Sequence, residues 1–135
     1  MSFILDTRLS DSTIKLYDSA LSEVRLKNNT HFPWIILIPR VTNAAELFEL
    51  SETEQNILMQ EITHIASRMQ NHFTPTKMNV GMLGNIVRQL HIHIIARYES
   101  DFAWPQSVWQ AGVKDEPYSA DQLSTLIPTL CDLLS

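Results

Sequence analysis

The sequence predicts an α+β fold, and three stretches carry that expectation. Residues 51–73 repeat their apolar positions at helical spacing behind a capping box. Residues 89–95, Q-L-H-I-H-I-I, alternate polar and apolar side chains with the period of a strand. Residues 77–83 and 86–98 read as two strands with Gly84-Asn85 as the turn between them. That order favours an antiparallel pair over the crossovers of a doubly wound α/β fold.

The elements follow in chain order. Residues 21–27 (L-S-E-V-R-L-K) have weak strand character and run into the polar turn Asn28-Asn29-Thr30. In F-P-W-I-I-L-I-P-R, residues 32–40, Pro33 and Pro39 bracket five apolar residues, which suits a buried strand whose ends are set by proline. Ser51 is the expected N-cap of the long helix, with Glu54 at the third helical position. Ile57, Leu58, Ile62, Ile65, Ala66 and Met69 then form its apolar stripe. Beyond Tyr98 the stretch D-F-A-W-P-Q-S-V-W-Q is irregular. A final helix is expected to open at Ser119 with Gln122 as its capping partner, and Pro128 is expected to kink or break it.

A chain of 135 residues fits one domain with a single substantial core. The net charge of −5 argues against a large basic surface, and so against bulk nucleic-acid or anionic-membrane binding. It leaves room for a small basic pocket around one phosphorylated ligand. The lone cysteine, Cys131, can form no internal disulfide, which favours a reducing compartment. The first residues lack a basic start followed by an apolar stretch, and the aliphatic run Trp34 to Ile38 is too short to span a bilayer. A cytoplasmic protein is the expectation.

The Q-L-H-I-H-I-I strand should project Gln89, His91 and His93 from one face. Three readings compete for that row. The histidines could be structural, each satisfied by neighbours in or near the core. They could supply two imidazoles to a metal, although a third protein ligand is then needed and no H-E-x-x-H occurs. Or one could act as a nucleophile at phosphorus, since neutral imidazole is competent near pH 7 and a hydrogen bond can fix which ring nitrogen attacks. Arg88 and Arg97 lie on the same stretch with opposite parity and receive no role.

Q-L-H-I-H-I-I resembles the signature of the histidine triad (HIT) family, His-φ-His-φ-His-φ-φ with φ apolar, except that Gln89 stands at the first histidine. The context is similar too: Gly84-Asn85 upstream, a strand ending Ile38-Pro39-Arg40, and a long helix between. The resemblance covers about residues 21–110, a motif-bearing core with 111–135 as a C-terminal extension of a single 1–135 domain. It implies an antiparallel sheet of about five strands packed with one long helix and a C-terminal helix.

The resemblance also implies a nucleotide hydrolase or nucleotidyl transferase. His91 would attack the α-phosphorus to give a nucleotidyl-histidine, with His93 bonding the phosphate or the leaving group and Gln89 completing the row. Asn85 and Asn79 fall where family members place phosphate-binding groups, and Asn28 is a candidate for the ribose hydroxyls. For Asn28, ordinary turn chemistry is an equal alternative. Trp104 and Trp109 could supply a base edge, a dimer contact or ordinary packing. The partners implied are a small-molecule nucleotide and a second copy in a homodimer. No cofactor is required, though Mg2+ can travel with a polyphosphate. An amide at Gln89 cannot titrate near pH 7. This favours leaving groups that depart as phosphate anions, as from a dinucleoside polyphosphate, over the amine of a phosphoramidate. The rival is a HIT-like nucleotide-binding protein with little activity.

Overall fold

The computed structural model describes residues 2–110, 112 and 114–135, so the expected boundary at residue 111 lies outside the described residues. Its elements are α1 (Thr7–Ser12), β1 (Thr13–Asp18), β2 (Ser22–Lys27), β3 (Trp34–Pro39), a 3-10 turn (Leu47–Glu49), α2 (Glu52–Phe73), β4 (Lys77–Gly81), β5 (Ile92–Arg97) and α3 (Ala120–Leu134). One five-stranded sheet runs in the order β1-β2-β3-β5-β4, and every pairing in it is antiparallel. The α+β expectation holds.

Each long element has a local reason. Ser51 and Glu54 close a reciprocal capping box on α2, which satisfies two orphan donors at the helix start. Leu58, Ile62, Ile65 and Met69 of α2 are buried, each contributing roughly 1.5–3 kcal/mol by leaving water. They meet Ile92 and Ile94 of β5, Ile35 and Leu37 of β3, and Leu130 and Leu134 of α3 in the main core. All six residues of β3 are buried, because both faces of this central strand are covered. On the face away from α2 and α3, Leu9 of α1 joins Phe32, Trp34, Ile36, Ile38, Ile95 and Val108 in a second, smaller cluster.

Several expectations are adjusted. α1 and β1 carried no sequence signal. β1 is an edge strand with only its first residue buried, so its pattern does not alternate cleanly. The histidine strand is β5, Ile92–Arg97, rather than 86–98, and β4 stops at Gly81, opposite His93. Residues 82–91 therefore form a long connection, where a short Gly84-Asn85 turn was expected. Gly84 does take a left-handed conformation within it, with φ +75°. The final helix opens on Ser119 and Gln122 as expected, yet continues past Pro128 without a break. Thr129 Oγ1 bonds the Thr125 carbonyl, and burial of Leu130 and Leu134 holds the last turns to the core.

Candidate active site

His91 and His93 lie on the face of the sheet opposite α2 and α3, because Ile92 and Ile94 point into the main core. Both are buried, and their rings meet edge to face with centroids 5.0 Å apart. β5 starts one residue after His91, so that residue ends the connection and borders open space. His91, Gly84, Arg88 and Gln89 line one cavity of about 300 Å3.

The hydrogen bonds fix both tautomers. His91 Nδ1 lies 2.6 Å from the Gln89 carbonyl, which only accepts. Nδ1 therefore carries a proton, and in the neutral ring Nε2 keeps its lone pair. The indole Nε1 of Trp34, which only donates, lies 2.9 Å from His93 Nδ1. His93 is thus an acceptor at Nδ1 and carries its proton on Nε2. Burial, reinforced by His91 and Lys27, pushes its pKa down to about 3. Near pH 7 it is a neutral hydrogen-bond donor.

Trp109 closes one side of the pair. Its indole meets His93 edge to face with centroids 5.0 Å apart, and meets Trp34 at 6.5 Å. Gly81 permits this approach: a Cβ there would stand 3.3 Å from the Trp109 ring. Lys27 lies 5.5 Å over the Trp34 ring and pairs with Asp115 at 3.0 Å. Trp34 and Gly81 were missed as site residues, because their contacts with His93 depend on strand register.

The remaining sequence candidates separate. Gln89 turns its amide away from the histidines: Oε1 accepts from the Asp6 amide at 2.8 Å and Nε2 donates to the Ile4 carbonyl at 2.9 Å. The glutamine thus grips the N-terminal segment at two backbone points. Arg8 adds a third tie, donating to the Ile86 carbonyl at 3.0 Å. Asn85 is exposed on the long connection. Asn79 shares the sheet face of His93, and its Oδ1 accepts from Arg97 at 3.2 Å. Arg97 is buried and also holds both oxygens of Asp101, so this strand end is a packed ion-pair cluster. Burial works against the Asp101 charge, but those bonds and the backbone amides of Tyr98 and Ala103 hold its carboxyl below the usual range. Trp104 covers the same guanidinium at 5.8 Å. Asn28 accepts from the Tyr118 amide and ties down the segment before α3. Among the described residues, no three His, Cys, Asp or Glu side chains converge as a metal site would require.

A five-stranded antiparallel sheet with a buried histidine pair on the face opposite a capped long helix defines a class of small α+β domains. The HIT domain family model matches residues 9–100. A histidine triad protein from Bradyrhizobium japonicum is 34% identical with TM-score 0.95, covering 100% of both chains. One from Sinorhizobium meliloti is 38% identical with TM-score 0.93, over 98% of this chain and 97% of that one. One from Marinobacter aquaeolei is 38% identical with TM-score 0.94, again over 100% of both. No curated protein sequence matches significantly. The chain belongs to the histidine triad family, and membership implies a nucleotide-binding or nucleotide-hydrolase type of function. No helix among the described residues is long and apolar enough to cross a membrane.

Proposed function

We propose that this protein is a nucleotide hydrolase or nucleotidyl transferase that works through a covalent intermediate on His91. The observation carrying this reading is the bond from His91 Nδ1–H to the Gln89 carbonyl, which leaves Nε2 as the nucleophilic nitrogen. Nε2 donates its pair to the α-phosphorus while the bond to the bridging oxygen breaks. The leaving group takes the bond electrons as an anion. Water then attacks phosphorus, the P–N electron pair returns to His91, and the water proton passes to solvent. The Gln89 carbonyl accepts the Nδ1–H hydrogen bond throughout, the proton staying on the ring, and steadies the positive charge on the nucleotidyl-imidazole.

The state of His93 bears on the substrate. A ring held neutral by burial and by the Trp34 donor offers an Nε2–H to a phosphate oxygen, but no spare proton to a departing amine. Together with the loss of an imidazole at position 89, this favours a nucleotide polyphosphate, of dinucleoside type, over a phosphoramidate. Asn85, exposed and next in the chain to Gly84 of the cavity lining, is the phosphate contact we assign from the connection; Asn79 and Asn28 are engaged as described and rank behind it. A homodimer and a cytoplasmic setting, with Mg2+ brought by the substrate if at all, complete the reading.

Incubation with nucleotide substrates should add one nucleotidyl mass to the intact protein. His91→Ala should abolish both the adduct and turnover. An unchanged rate in that variant refutes the nucleophile, and faster turnover of a nucleoside phosphoramidate than of a dinucleoside polyphosphate refutes the substrate preference. One observation favours a second reading: with the Gln89 amide committed to residues 4 and 6, the row facing phosphate has two members instead of three. Tight nucleotide binding without adduct or product would establish that binding-protein reading instead.

A further inference from the structure

Lys27 is the last residue of β2, one step past the pairing of Leu26 with Ile35, and that step sets it beside Trp34. Its side chain is only 15% exposed, and its ammonium lies 5.5 Å over the Trp34 ring. A lysine this far from water needs partners. Asp115 supplies one, with a carboxylate oxygen 3.0 Å from Nζ. The aspartate is fixed in turn. Asn29 Nδ2 donates to its other oxygen at 3.1 Å, while Thr30 bonds Glu116 and Asn28 bonds the Tyr118 amide. The ammonium is thus placed from two sides, by the strand end and by the segment before α3.

Under that ammonium lies the donor that fixes His93. Trp34 presents its face to Lys27 and its Nε1–H to His93 Nδ1. A cation on an indole face draws on the electron density of the ring, which leaves the N–H more positive and a stronger donor. The same charge opposes a second proton on the imidazole, and Lys27 is among the causes that hold the His93 pKa low. Asp115 offsets part of that field, but it is half exposed and better screened by water and salt. Around His93, β3 contributes Trp34 and Ile36 and β4 contributes Gly81, none of which titrates. His91 is the titratable neighbour two residues away, and Arg25, one strand beyond Ile36, is committed to Glu23. Lys27 is therefore the charge that reaches His93 through Trp34.

We propose that Lys27 is a positioning residue. Its ammonium, anchored by Asp115 on the face of Trp34, strengthens the indole bond that keeps the His93 proton on Nε2. The inference rests on the functional reading above, in which His93 donates to a phosphate oxygen without titrating.

The test uses full-chain variants. Lys27→Met keeps the length of the stem and removes the charge, whereas Lys27→Arg keeps the charge. In Lys27→Met the Trp34 indole proton resonance should move upfield, and the His93 titration, followed by ring 15N shifts, should move to higher pH. Turnover of a dinucleoside polyphosphate should fall about two- to tenfold in kcat with KM nearly unchanged, because the bond that weakens is to His93 and not to the ligand. Lys27→Arg should restore the indole signal and most of kcat. Asp115→Asn should move the indole resonance in the same direction as Lys27→Met, by a smaller amount. In a Trp34→Phe background, Lys27→Met should cost less than in the parent protein.

An unmoved indole resonance with an unmoved His93 titration in Lys27→Met overturns the proposal. A rise in KM with kcat intact also overturns it, by making Lys27 a direct contact of the phosphates. An opposite indole shift in Asp115→Asn overturns the anchoring, and an equal loss in the Trp34→Phe background overturns the route through the ring. Absence of both adduct and turnover in the parent protein overturns the functional reading instead. The indole and ring shifts do not depend on that reading, and they still decide whether Lys27 sets the proton on His93.

Discussion

The chemistry of this site is decided by two single-atom relationships. A carbonyl that can only accept faces His91 Nδ1, and an indole that can only donate faces His93 Nδ1. The two rings therefore carry opposite tautomers although they sit side by side. The first keeps a lone pair on Nε2 and the second keeps a proton there. Trp34→Phe keeps most of the apolar bulk and removes the donor, so His93 should lose its fixed tautomer. Its pKa should also rise from about 3, since protonating Nδ1 no longer costs a hydrogen bond. Ring 15N shifts across a pH series measure both effects. Turnover should fall about two- to tenfold, the equivalent of one neutral hydrogen bond. An unchanged His93 titration in the variant contradicts this assignment.

Among the elements, the N-terminal segment with α1 is the one whose role was invisible beforehand. A six-residue helix gains little from its own propensity, and this one is fixed by what lies around it. Leu9 enters the second core cluster, Asp6 caps the helix, and Gln89 and Arg8 tie the segment to the 82–91 connection. Gln89→His, which recreates the full triad signature, should therefore cost about 1–3 kcal/mol in denaturant unfolding by losing two backbone-directed bonds. It should also speed hydrogen exchange at the Asp6 amide. If that amide stays as protected as in the parent protein, Gln89 is not the anchor described. At the level of one element, a glutamine at this position is better explained by what it holds in place than by decay of a catalytic group.

For the whole molecule, the neutral His93 links stability to pH. Its pKa in the fold, about 3, lies below the ordinary value of 6.5. Between those values the unfolded chain binds the proton and the folded chain does not. The stabilisation is fully present above pH 6.5 and is lost as pH falls toward 3, at about 1.4 kcal/mol per pH unit for one group. Unfolding free energies of the parent and of His93→Asn, compared between pH 7.5 and pH 5, should converge as the pH falls. Parallel curves would count against a buried neutral His93.

What could be read in advance divides along the same line. The capping boxes at Ser51 and Ser119 and the stripe of α2 lie within a few residues of themselves, and the sequence displays them directly. The alternation at 89–95 set the histidine pair on the face opposite Ile92 and Ile94, because strand period is local too. The partners of Gln89 lie 83 and 85 positions away, and that of His93 lies 59 away. No local pattern announces such pairs. For the same reason the end of β4 at Gly81, set by its pairing with β5, was misplaced, and the stretch 104–109 looked merely irregular.

Gly81 has a practical consequence. By admitting Trp109 against His93, it places a half-exposed indole at the histidine pair, while Trp34 lies buried on the other side. Two of the chain's three tryptophans thus touch the ring that would greet a phosphate. The protein carries its own optical reporter, whose emission should change when the site fills, with no label attached.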